Sequence, residues 1–380
     1  MLYTGDATFE IIGDDGYSQS DAVTVTVDVS DAALISLDFV ERNPFLLSGQ
    51  RTQLELIGDF ADQENVLLSG DYLTWVSSDE TIVTVDEKGN IQGVTDGNSV
   101  ISAKRNNLEA VTVASIGIPS DVTEQAILIL GIDVYPDSIT LAGVGDTRQI
   151  LVNITEDIEV SEAEDGTLYF SSNPDIVEIS PDGLITAKQI GETTITVIHK
   201  GTEATIPLQV TQPIIGTATL DEEGGVIQGS DGSLVKIGEG TLNEATSISI
   251  APVDKEDLPL PLLPEPFNYV GSFELDLGEQ PLDQPVQLAI PVSPDTPVGS
   301  TVYFYRAGII PDPDEGDRPV WLEVETGIVG SDGFARTTSP PHHLIPALES
   351  REFMLVSKPL LTGYIESEVV FLPLSPLGLK

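Results

Sequence analysis

The chain has no cysteine, two methionines, two tryptophans and three histidines, and only 16 Lys and Arg against 62 Asp and Glu in 380 residues. Each scarcity removes a class of protein. Without cysteine no disulfide can staple a small loop-rich domain, so every folded unit must hold by packing. A zinc site has little to draw on. His342 and His343 are adjacent and would face opposite ways on a strand, and Pro340-Pro341 before them mark a loop. His199, beside Lys200-Gly201, is expected at an exposed turn. So few cations argue against nucleic acid as a partner, because phosphate contacts need Lys and Arg. Apolar runs are short as well. The stretch 126–132 is among the longest, far below the ~18–20 residues of a bilayer span, so no membrane span is expected in this segment. The opening Met-Leu-Tyr-Thr-Gly-Asp lacks the basic and apolar regions of a signal peptide.

What is abundant is acid. The net charge of −46 divides into −6 for residues 1–30, −9 for 31–120, −13 for 121–212 and −18 for 213–380, so it covers the whole chain and is no acidic tail. Two readings follow. The acid is a solvated surface kept soluble by self-repulsion, or some of the carboxylates converge on Ca²⁺.

Val, Ile and Leu dominate the apolar residues, mixed with Thr and Ser and punctuated by 34 Gly and 26 Pro. Short alternating runs in that mixture predict an all-β protein. One run organises the rest: Leu73-Thr-Trp-Val-Ser-Ser-Asp-Glu-Thr-Ile-Val-Thr-Val85, with an inward Trp75 and a polar corner at Ser77-Ser78-Asp79. The pattern returns 94 residues later, where Tyr169 stands for Trp75 and Ser171-Ser172-Asn173 for the corner. That period is the size of one β-sandwich, which makes the chain a tandem array.

Residues 31–118 read as one module and 127–211 as its repeat, with Gly183 aligning with Gly89 and Gly191 with Gly97. The join 117–125 is short, with one Pro, and reads as a semi-rigid hinge between stacked sandwiches. The order Gly49-Gln50-x-x-Gln-Leu54, Trp75-x-Ser-Ser-Asp79, Val83-x-Val85-Asp86, Lys88-Gly89-x-Ile91-x-Gly93, Gly97-x-x-x-Ile101-x-Ala103 resembles the bacterial immunoglobulin-like domain of group 2, found in intimin- and invasin-type adhesins. The resemblance implies tandem Ig-like sandwiches. It carries over no reaction.

Three further segments are expected. Residues 1–30 hold a hairpin similar to the closing hairpin of a cadherin-like repeat whose beginning lies upstream, and in that family Asp-rich turns such as Asp14-Asp15 can sit near Ca²⁺. Residues 213–358 read as another β domain. Gly224-Gly225, Asp231-Gly232-Ser233, Val235, Ile237, Gly240, Leu242, Thr246, Ile248 and Ile250 resemble the ZU-type domain of zonula occludens proteins, netrin receptors and ankyrins, a binding and assembly module. Its Pro-rich stretch 259–266 reads as an exposed loop. Residues 359–380 start a further module or tail.

No residues assemble into a catalytic motif, so a non-enzyme is expected; no Gly-x-Ser-x-Gly elbow is present. The best local candidate for a hard cation is Asp312, Asp314, Glu315 and Asp317, an acidic loop around Gly316, with Asp14 and Asp15 the second. Ca²⁺ is the one cofactor this composition suggests. The functional expectation is a stalk, spacer, adhesion or assembly segment of a large bacterial surface or secreted protein, extracellular or at the cell surface. Its partners would be other protein modules or extracellular ligands. The alternatives are a glycan- or receptor-binding module using exposed Tyr303, Tyr305 or Trp321, and an accessory region of a secreted hydrolase.

Overall fold

The computed structural model describes residues 5–29, 31–119, 121–155, 158–278, 282–310, 317–338 and 352–357. Its regular structure is nearly all strand, as the alternation predicts. At the N-terminal side Gly5–Ile11 and Val23–Val29 form an antiparallel two-stranded sheet, Gly5 opposite Val29 and Ile11 opposite Val23.

The first sandwich is built from three small sheets. Phe45–Leu46, Leu108–Ile116, Gly97–Arg105 and Thr74–Ser77 are neighbours in that order in one; Arg51–Gln53, Asn90–Gly93 and Val83–Val85 make the second; Leu34–Phe39, Leu56–Phe60 and Gln63–Leu68 make the third. Their inward residues, among them Leu37, Phe39, Leu56, Val83, Ile91 and Ile101, form one core. Trp75 packs on that core with its ring 6.2 Å from Phe39, and its Nε1–H donates to Gly70 O at 2.8 Å.

The second sandwich repeats this plan strand for strand. Ile139–Ala142, Thr202–Thr211, Gly191–His199 and Thr167–Ser171 form the matching four-stranded sheet around a separate core. Tyr169 takes the place of Trp75, its hydroxyl donating to Ser161 O at 2.7 Å. One constraint explains both aromatics. Gly89 and Gly183 each have φ of +78°, and a Cβ there would lie 2.5 Å from the Trp75 ring and 2.7 Å from the Tyr169 ring. Only glycine lets the ring lie flat on that turn. The corners match too: the Asp79 N–H donates to Ser99 Oγ and the Asn173 N–H to Thr193 Oγ1, both at 3.0 Å.

The join differs from the expected hinge. It contains a helix, α1 (Val122–Leu130), entered at Asp121, whose carboxylate accepts from Glu124 N at 3.1 Å. The helix ends at Gly131 in the left-handed region, with its N–H on Ile127 O at 2.8 Å. Ile127 is buried.

The third unit is an eleven-stranded sheet whose two edge strands, Ile214–Ile215 and Ala218–Leu220, are consecutive in the chain, so the sheet wraps round on itself. Phe273 centres its core, stacked on Phe353 at 5.0 Å and edge-on to Phe304 at 6.3 Å.

Candidate functional site in the domain joints

Several buried charged and polar side chains lie where one unit meets the next. Strand Leu108–Ile116 is buried on both faces. Leu108, Ala110, Ala114 and Ile116 face their own core, whereas Val111 and Val113 pack against Ile198 of the second sandwich, with Val100 and Phe170 beside them. The two sandwiches therefore lie side by side along a sheet face, where an end-to-end stack was expected. Contacts run the length of that face. Asn107 Nδ2 donates to Asp175 Oδ2 at 2.8 Å and Glu109 N to Ser172 O at 3.0 Å at one end; Ser115 Oγ donates to Gly201 O at 3.3 Å at the other.

Glu203 fastens this joint. Its side chain is 4% exposed and accepts from Thr112 Oγ1 at 2.8 Å, Val113 N at 2.7 Å and Arg42 Nη1 at 3.1 Å. Arg42 also donates to Val111 O at 2.9 Å and pairs with Asp38. A carboxylate with three donors is fully compensated, and removing it would leave the Thr112 hydroxyl and the Val113 N–H without their acceptor inside the joint.

A second charged cluster fastens the second sandwich to the third unit. Asp146 and Lys236, their side chains 6% and 4% exposed, meet at 2.5 Å across the boundary, and Arg336 Nη2 stands 3.6 Å from the same carboxylate. Burial alone would raise the Asp146 carboxyl. Lys236, the Ala142 N–H at 2.7 Å and Arg336 outweigh it and hold the group below the ordinary carboxylate value. Burial pushes the Lys236 ammonium down, with Asp146 pulling the other way. Around the pair, Thr140 Oγ1 donates to Ile237 O at 2.9 Å, Ser138 Oγ to Glu239 O at 3.0 Å and Arg148 Nη1 to Thr337 O at 3.0 Å. A cleft of about 470 Å³ opens where the three units converge, lined by Ile35, Asp59, Pro207, Glu192, Glu223 and Glu239 among others.

The residues singled out from sequence fare unevenly. Asp14 and Asp15 do share one turn, and their carboxylates are engaged by that turn: Asp14 accepts from Gly16 N at 2.8 Å and Gln19 Nε2 at 3.0 Å, Asp15 from Tyr17 N and Ser18 N, both at 2.9 Å. Asp317 is exposed; Asp312, Asp314 and Glu315 lie outside the described residues, as do His342 and His343. Among the described residues no group of three or more His, Cys, Asp or Glu could hold a metal ion. His199 is not at an exposed turn. It is 1% exposed, because the strand Gly191–His199 carries it inside before the chain reverses.

The aromatic platform is also different. Tyr305 is 7% exposed, and Tyr303 and Trp321 are half-buried, because Leu258, Leu262, Leu263 and Phe267 fold over them. The Trp321 Nε1–H donates to Pro261 O at 2.8 Å, so the Pro-rich stretch is a strap over an apolar patch and not a free loop. The joints were missed altogether, since hydrogen-bonded partners across them lie as far as 189 residues apart in sequence. One signal was available: Ala110-Val-Thr-Val-Ala-Ser-Ile116 has small or apolar residues on both faces.

Sequence comparison agrees with the repeated geometry. The family model of the bacterial Ig-like domain (group 2) matches residues 33–115 and again residues 132–210. The two sandwiches are bacterial Ig-like domains in tandem. A curated relative, Ice-binding protein 1 of Shewanella frigidimarina (strain NCIMB 400), is 32% identical over 85 residues, 22% of this chain, and the chain spans only 9% of that protein. Among solved structures, domains 5–6 of the S-layer protein SbsC match 48% of this chain and 100% of theirs at 13% identity and a TM-score of 0.21. Domains 4–9 of the same surface layer protein match 88% of this chain and 68% of theirs at 11% identity and a TM-score of 0.20. Among the described residues, no helix is long and apolar enough to cross a membrane.

Proposed function

We propose that this segment is a non-catalytic, stiff spacer in a bacterial surface or secreted protein, holding other modules at a fixed distance and orientation. The observation that carries the reading is the pair of joints. Glu203 with Arg42, and Asp146 with Lys236, are buried charges that cross domain boundaries, beside apolar contacts that also cross them. Beads on a flexible string would wet such boundaries; here the side chains of Glu203, Asp146 and Lys236 are 4%, 6% and 4% exposed. The Ig-like tandem supports an extracellular or cell-surface setting. Stiffness without cysteine then comes from charge pairs held in dry joints.

The test is small-angle scattering on the full chain, with Glu203→Ala and Asp146→Ala as joint variants. The parent should give one narrow set of dimensions, and each variant a broader, more extended set at unchanged strand content. A parent already described only by a broad ensemble would end the spacer reading.

Finer assignments belong to the same proposal. Residues 213–358 are read as a ZU-type module, supported by strands Gly225–Gln228, Leu234–Ile237 and Thr246–Pro252 falling on the signature positions. The hairpin Gly5–Ile11 with Val23–Val29 is read as the close of a cadherin-like repeat. Ca²⁺, if it contributes, is assigned to the Asp14–Asp15 turn and to the acidic loop that ends at Asp317.

A further inference from the structure

The hairpin that carries Glu203 has an unusual foot. His199 closes the strand Gly191–His199, opposite Thr202, with Lys200 and Gly201 as the two-residue tip. Its Nδ1 lies 2.9 Å from Thr167 Oγ1. The Thr167 hydroxyl gives its proton to Val160 O at 2.5 Å, so the imidazole must be the donor in the Thr167 contact. That fixes the proton on Nδ1 and leaves Nε2 a bare acceptor. Buried and without a hydrogen-bond partner, Nε2 has nothing to receive a second N–H. The first sandwich offers no precedent. Arg105 holds the corresponding place there, over the Tyr72 ring at 4.0 Å and donating to Tyr72 O at 3.1 Å.

The tip that follows His199 packs against α1 and the neighbouring sandwich. Gly201 O accepts from Ser115 Oγ, and a Cβ on Gly201 would stand 2.7 Å from Leu128 Cδ2 of α1 and 2.9 Å from Asn98 Oδ1. Glu203, one residue past Thr202, is the joint's fastening. A change under the tip therefore reaches the joint through four residues of hairpin.

We propose that His199 is an acid-operated latch on the joint between the two Ig-like domains. A proton arriving at Nε2 places an unpaired cation beneath the tip, lifts residues 199–203 from the first sandwich, and frees the two domains to swing apart. The charged groups around it are few. Asp165, on the turn Ala163–Asp165, favours the cation and Lys200 opposes it; Thr167 and Val160, on the facing strand and loop, are neutral; Glu203 is engaged by Arg42, which also pairs with Asp38. Burial outweighs them and keeps the ring's affinity for a proton below its ordinary value of 6.5. The closed joint therefore keeps its full stability above pH 6.5 and loses it as pH falls through the lowered value of the closed state. Each unit of pH inside that window shifts the open-to-closed ratio by up to about tenfold. The idea rests on the closed joint and not on what the segment holds apart.

Because the chain lacks cysteine, Lys88→Cys and Glu178→Cys place one spin label on each domain with no background. Inter-label distances in the full chain, measured from about pH 7.5 to about pH 5, should be narrow at the upper end and broaden reversibly at the lower end. His199→Asn keeps a donor toward Thr167 without a titrating ring and should stay narrow throughout; His199→Gln serves if the first variant folds poorly. An unchanged parent distribution would overturn the latch, as would equal broadening in the His199 variants. Loss of the strand circular dichroism signal together with the distance change would overturn it too, by showing unfolding where opening was expected. None of these failures touches the spacer reading at neutral pH.

Discussion

Single side chains in this protein matter most where they sit between two cores. Glu203→Ala deletes three accepted hydrogen bonds and leaves the buried Thr112 hydroxyl and Val113 N–H without their acceptor, so we expect a loss of about 3 kcal/mol in chemical denaturation. Glu109→Ala, whose carboxylate makes a more exposed pair with Lys104, should cost under about 1 kcal/mol. Gly183→Ala tests the repeated aromatic lock. The added methyl must displace the Tyr169 ring and adopt a left-handed backbone, which together should cost at least about 2 kcal/mol, and Gly89→Ala should match it. Asp146 has an acid signature. Its carboxyl is held below the ordinary value of 3.8, so its contribution is complete above that pH and disappears as the solution is acidified through the lowered value. Asp146→Asn should flatten the stability profile in that acid limb and leave the neutral region with a constant deficit.

At the scale of elements, the strands were legible because alternation of apolar and polar residues with period two survives any tertiary context. Trp75 and Tyr169 could be paired from sequence for the same reason: ring, serine corner and turn glycine recur at fixed offsets. Three features were hidden. α1 follows an Asp-x-x-Glu start and ends at Gly131, yet its run Ala126-Ile-Leu-Ile-Leu130 is too short for helix and strand to be told apart by pattern. His199 looked exposed because it adjoins a turn, but this hairpin buries His199, Gly201 and Thr202 and leaves only Lys200 exposed. The strap over Tyr305 was hidden because prolines mark irregular backbone and say nothing about what the intervening leucines touch. Leu262→Ala with Leu263→Ala should uncover Tyr303, Tyr305 and Trp321, and an apolar dye should then bind the variant and not the parent.

For the molecule as a whole, charge and joints act on different length scales. The net charge of −46 repels across the surface and is screened beyond about 8 Å at physiological salt. Added NaCl should therefore raise the melting temperature, while the increment lost in Glu203→Ala should change little with salt, because that contact is sheltered from the solvent. Ca²⁺ is separable from this general screening. If the acidic turns bind it, a melt in millimolar Ca²⁺ should exceed one at equal ionic strength in Na⁺; coincident curves with and without chelator would remove the metal from the account. The joints were invisible in the sequence for a plain reason. Glu203, Arg42, Asp146 and Lys236 are charged types that a sequence places on the surface, and only the three-dimensional course of the chain shows that Val111 and Val113 look outward onto a neighbour.

Strand Leu108–Ile116 serves two interiors at once, and this bears on how such chains can be shuffled. A repeat that owned all its apolar surface could be copied, deleted or reordered like a tile. Here, excising residues 31–118 would leave Ile198 and Phe170 facing water, and inserting a foreign domain after them would leave Val111 and Val113 mismatched. Recombination within this protein should therefore tolerate poorly a breakpoint between the halves of the tandem, or one between its second half and the third unit, where Asp146 meets Lys236, which makes the heritable piece the joined set and not the single domain.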